Sequence, residues 1–208
     1  MEEMSHPVFS RQRFWKFRLN ELFNLDSVIV QEYAEASKNV IDLTNRIILD
    51  IEYPFHLGQP TDSHQLLTFH TYKKCIDLDF WHKADETCAL RKGDCEDSSI
   101  FFVTAARILG LSEKEVYEVF GVVRDATTGE VLGGHGWAYF WHDGWRLYES
   151  TLDAYPKEYP KVGVKHDEVT EIREPIRLEN VVYDPEFLFN DKEYHFVKGI
   201  VGGKVYGR

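Results

Sequence analysis

Two residues of this chain have the type and placement that covalent chemistry needs: a cysteine opening a predicted helix, and a histidine opening a later predicted strand. Cys95 stands in Gly93-Asp94-Cys95-Glu96-Asp97-Ser98-Ser99, directly before an apolar run over residues 100–111. Asp94 is a natural helix N-cap, and Asp97 supplies an acid at the third helical position. Ile100, Val103, Ala106 and Arg107 keep a period near 3.6 before Gly110 stops the helix. Unpaired first-turn amides and the positive end of the helix dipole favour a thiolate at such a cysteine. Asp94, Glu96 and Asp97 oppose it, so a histidine must supply the compensating charge.

Sulfur attack on a carbonyl needs a base that takes and returns a proton, and a third group that orients the base. His135, in Gly133-Gly134-His135-Gly136-Trp137, is the candidate base. A hairpin turn at His142-Asp143-Gly144 would bring Glu149 beside it on the paired strand, and a carboxylate there accepts from imidazole. Asp153 is the alternative acid. The backbone N–H of Cys95 is one oxyanion donor, and Trp81 offers an indole N–H or a packing wall. Singly, each residue has an ordinary structural use; the combination carries the chemistry.

The elements that must position these groups read as helices first and strands afterwards, hence α+β. Residues 8–23 form an aromatic amphipathic pattern that docks on its own core, or alternatively on a partner. One long helix is expected over residues 27–53, irregular chain over 54–80, and a short helix over 84–90. Strands are expected over 116–124, 135–141, 145–149, 176–183 and 194–201, with loop over 153–167.

Asp79-Phe80-Trp81, Gly93-Asp94-Cys95-Glu96-Asp97, His135-Gly136-Trp137 and Trp145-Arg146-Leu147-Tyr148-Glu149-Ser150-Thr151 resemble the transglutaminase-like superfamily, in particular the bacterial transglutaminase-like cysteine proteinases. The resemblance spans residues 77–153. It implies a papain-like core whose nucleophile helix packs on an antiparallel sheet. It also implies Cys95 as nucleophile, His135 as base and Glu149 as orienting acid of a peptidase or amidohydrolase acting on protein or peptide. Acyl transfer to an amine would use the same residues, and a non-catalytic binding module would keep the same fold. The family more often has aspartate at the third position, and its proteinase branch is typically exported. No cofactor is required, but some members bind calcium through acids near the cysteine, which makes Asp94, Glu96 and Asp97 candidates here.

At 208 residues the chain reads as one domain, with 43% hydrophobic residues to fill a core. A net charge of −11, with no basic stripe, argues against nucleic acid. Cys75, Cys88 and Cys95 form no disulfide framework, and His56, His64 and His70 match no metal-ligand spacing. No run is long and apolar enough to span a membrane, and charges at Glu2, Glu3, Arg11 and Arg13 leave no signal-peptide core. A cytosolic protein is the expectation.

Overall fold

A computed structural model of the chain describes residues 21–52, 81–151, 168–169, 172–178 and 180–197. The expected aromatic helix over residues 8–23, apart from its last three residues, lies outside them. So do the irregular stretch before Trp81, with Cys75 and its histidines, and the loop with Asp153. Four helices are described: α1 (Val28–Glu35), α2 (Val40–Asp50), α3 (Ala84–Leu90) and α4 (Cys95–Ile108). The strands are β1 (Val116–Asp125), β2 (Val131–Trp141), β3 (Trp145–Tyr148), β4 (Glu168–Val169), β5 (Ile176–Leu178), β6 (Val181–Phe189) and β7 (Tyr194–Phe196).

Helix α4 is central, and both of its ends are set locally. Asp94 has extended backbone, and its N–H donates to Asp97 Oδ2 at 3.3 Å, closing the first turn. At the other end Gly110 adopts φ +104°, which suits a residue without Cβ. Leu111 N–H then reaches the Ala106 carbonyl and Gly110 N–H the Arg107 carbonyl, a Schellman termination. Between these ends the side chains from Glu96 to Ala106 are all buried. Helices α1, α2 and α3 cover one side of α4, while β1 and β2 cover the other. Phe102 stacks on Tyr148 at 4.2 Å between ring centres and meets Phe140 edge-on. A buried aromatic contact of this kind adds roughly 0.5–1.5 kcal/mol beyond area burial.

The strands form an antiparallel sheet in the order β4-β3-β2-β1-β6-β5, with β7 also pairing β6. Alternation sorts the side chains between two layers. Val116, Phe120, Ala138, Phe140, Tyr148, Phe187 and Phe189 join the helices in one cluster. Tyr117, Val119, Trp137, Tyr139, Leu147, Tyr183 and Leu188 form another on the far face. The expected hairpin forms: Asp143 (φ 55°) and Gly144 (φ 126°) both take positive φ, and Trp141 faces Trp145. The resulting register sets Ala138 opposite Tyr148.

Three expectations are corrected. Strand β2 opens at Val131, so His135 lies inside the strand instead of at its start. The single helix over residues 27–53 is broken into α1 and α2, because Asn39 caps a new helix by accepting the Asp42 N–H at 2.9 Å. The single strand over residues 176–183 is a tight β5–β6 pair that sets Leu178 opposite Val181, and β6 runs on through Asp184-Pro185-Glu186. That irregular tripeptide is absorbed by a bulge: Phe120 pairs Phe187, while the adjacent Gly121 pairs Pro185.

Candidate active site

Cys95 is the first residue of α4, where β2 passes close to the start of the helix. A Cβ on Gly136 would lie 2.9 Å from Glu96 Cα and 3.0 Å from Glu96 N, so only glycine lets the strand approach this far. The described β2–β3 pairing stops at Ala138–Tyr148, and two residues further along β2 a backbone hydrogen bond from Gly136 reaches the Cys95 sulfur. That bond favours the thiolate, but opposing effects are stronger. Burial pushes the Cys95 thiol well up, and the charges of Glu96 and Asp94 push it further. The thiol itself donates to Glu96 Oε2 at 3.0 Å. The helix-start effect expected to favour a thiolate is therefore outweighed in this state. Among the described contacts Cys95 has no hydrogen bond to His135.

His135 sits on β2 with only 1% of its surface exposed, its ring stacked beside Trp137 and tilted against Tyr183. Its Nε2 lies 2.7 Å from Glu149 Oε2. That pairing leaves Nδ1 as the ring nitrogen available to a sulfur. The close pairing of His135 and Glu149 follows from the Asp143-Gly144 turn, which returns the chain in register along β3. Glu149 is held by more than the histidine. Thr151 donates its N–H to Oε1 at 2.8 Å and its hydroxyl at 3.2 Å, and the Tyr183 hydroxyl donates to Oε2 at 2.9 Å. Burial alone would raise the Glu149 carboxyl, but the His135 charge and bond, the Thr151 amide and the Tyr183 hydroxyl together hold it below the ordinary range.

Gly121, opposite His135 on β1, makes room for this cluster: a Cβ there would stand 2.2 Å from the Asp184 carbonyl and 2.8 Å from the Trp137 ring.

Trp81 is buried against Phe120 and Phe189, each at 5.8 Å between ring centres, so a packing role is part of its position. Next to it, the His82 N–H donates to Asp97 Oδ1 at 2.7 Å, and His82 Nδ1 is 3.1 Å from Asp97 Oδ2. Asp97 thus ties the segment before α3 to the first turn of α4. Among the described residues one cluster places metal-capable atoms together, namely Asp94, Cys95 and Glu96, within 4.8 Å of one another. Asp97 is outside it.

Four groups at the site were not singled out from sequence. Thr151 and Tyr183 hold Glu149, and Gly136 bonds the sulfur. Glu118 on β1 is fully buried on the helix side, with its carboxyl against Gly136. Burial holds the Glu118 carboxyl well above its ordinary range, and the negative charges of Glu96, Asp97 and Glu149 add to this. The Ser99 hydroxyl pulls the other way, but only in part, because it is committed to the Cys95 carbonyl at 2.6 Å.

Residues 58–150 match the family model of the transglutaminase-like superfamily. The helix-on-sheet arrangement around Cys95 is its transglutaminase-like core. Among solved structures the chain is similar to Legionella pneumophila LapG, with a TM-score of 0.44 at 11% identity over 86% of each chain. An EGTA-treated form of that protein gives 0.37 at 12% identity, over 81% of this chain and 84% of that one. Its calcium-bound form gives 0.35 at 13% identity, over 85% and 92%. No curated protein matches the chain in sequence.

Proposed function

We propose that this protein is a cysteine-dependent amide-bond hydrolase acting on protein or peptide, with Cys95 as nucleophile, His135 as base and Glu149 as the acid that orients it. The observation that carries the reading is the buried 2.7 Å pair between His135 Nε2 and Glu149 Oε2, one residue along β2 from the amide that bonds the Cys95 sulfur. In this reading His135 Nδ1 takes the thiol proton as sulfur attacks the carbonyl, then returns it to the leaving amine. Water next cleaves the thioester with the same base. The Cys95 N–H, at the start of α4, faces the developing oxyanion, with Trp81 as the candidate second donor. Glu149 keeps the Nε2 proton in place and balances the imidazolium.

Calcium enters only as far as the donor set allows. Asp94 and Glu96 offer carboxylate oxygens beside the sulfur, but calcium takes six to eight oxygens, and Asp97 is turned toward His82. A cation there would offset the charges that keep the thiol protonated. The test is fragment release from denatured casein, with added calcium and with chelator. Fragments with new N-termini are expected from the parent protein and none from Cys95→Ala. A folded Cys95→Ala protein that still releases them rules the assignment out.

A second reading, a binding module on the same fold, is favoured by the resting bond from the Cys95 thiol to Glu96. Casein cleavage separates the two. A hydrolase releases fragments and loses this activity in a folded His135→Ala protein; a binding module releases none even as the parent.

A further inference from the structure

We propose that Tyr183 is a positioning residue of this site, whose hydroxyl, donated to Glu149 Oε2, fixes the proton of His135 on Nε2. The inference rests on the hydrolase reading and deepens it. Glutamate is one methylene longer than aspartate, so a glutamate in the orienting position has an extra torsion to restrain. Among the described residues, four donors restrain it. Thr151 takes Oε1 through its N–H and hydroxyl, while His135 and Tyr183 share Oε2 at 2.7 and 2.9 Å. Tyr183 is wholly buried and comes from β6, two strands away from β2, so it anchors the acid from an element independent of the hairpin. Its ring is also fixed, edge-on to Trp137 at 5.3 Å and tilted to His135 at 6.1 Å.

The chemical consequence concerns the imidazole. An ionised Glu149 accepts only, so the nitrogen facing it must carry hydrogen, and Nδ1 is left with the lone pair that a thiol proton needs. Without the Tyr183 donor, a buried carboxylate oxygen loses a hydrogen bond. Glu149 then binds a proton more readily and no longer requires hydrogen on Nε2. An imidazole released to the other tautomer presents N–H to Cys95 and cannot accept its proton.

The test is Tyr183→Phe in the full chain, labelled with 15N-histidine and read by NMR, with His135→Gln used to assign the signal. The parent is expected to show a downfield Nε2 proton on His135. In a folded Tyr183→Phe protein that proton should exchange about tenfold faster, as for a weakened charge-assisted bond, and the nitrogen shifts should move toward a mixture of tautomers. An unchanged resonance and unchanged nitrogen shifts overturn the proposal. If the variant does not fold, the parent alone decides. A protected Tyr183 hydroxyl proton with a cross-peak to the His135 Nε2 proton is expected, and a hydroxyl exchanging freely with water overturns the proposal. Casein cleavage is run alongside. A parent that releases no fragments defeats the hydrolase reading, while the histidine spectrum still decides the role of Tyr183.

Discussion

At the scale of single residues, the site holds its nucleophile in check with its own neighbour. Glu96 accepts the Cys95 thiol at 3.0 Å and adds a negative charge beside it, so both effects stabilise the protonated sulfur. Glu96→Gln removes the charge while keeping length and shape. The expected outcome is severalfold faster iodoacetamide labelling of Cys95 near neutral pH, because removing the neighbouring charge raises the thiolate fraction. Unchanged or slower labelling across the pH range would mean that burial alone controls the thiol. This restraint was partly legible, because three acids around one cysteine can be counted in the sequence. That Glu96, rather than Asp94 or Asp97, takes the thiol was not, because it depends on which way each side chain leaves the first turn. Tyr183 was illegible for a different reason: it lies 34 residues from Glu149, and nothing local in Val181–Phe189 marks its hydroxyl for a carboxylate on another strand.

At the scale of elements, the contact between α4 and β2 is made by backbone, which leaves little room for repair. Gly136→Ala would press a methyl carbon onto the Glu96 main chain, and neither strand nor helix start can move without disturbing the Cys95 sulfur. We expect a folded protein destabilised by about 1–3 kcal/mol, the cost of overpacking, and devoid of casein cleavage. Denaturant midpoints and the cleavage assay check the two halves separately, and a variant with parental turnover would show that the close approach is dispensable. The elements themselves were largely readable wherever their ends are local: the Asp94 cap, the Gly110 stop and the Asp143-Gly144 turn each act within a few residues. Readings failed where a decision is made at longer range. The helix break at Asn39 competes with a continuous apolar stripe, and β6 tolerates Asp184-Pro185-Glu186 only because Gly121 on β1 admits a bulge.

For the whole molecule, two buried carboxyls make stability respond to pH with opposite signs. Glu149 titrates below the ordinary 4.5 when folded, so its contribution is present above that value and is lost as pH falls through the folded value. Glu118 titrates well above 4.5, so its contribution is present below that value and is lost as pH rises toward the folded value. Glu118→Gln keeps the neutral shape at every pH. Its melting temperature should therefore gain on the parent's as pH rises from about 5 to about 8, at roughly 2–4 °C per kcal/mol for a chain of this size. An offset independent of pH would show that Glu118 is not held neutral by the fold.

The outer margin of the sheet has a further consequence. Among the described residues, β5 and β7 pair only three residues each at the two ends of β6, with Pro185 in the interval between them. An incoming strand from another molecule finds no continuous run of amides and carbonyls to align with, and proline contributes no N–H to such a ladder. Among the described residues, strand addition from another molecule is thus resisted on this side by interruption of the edge.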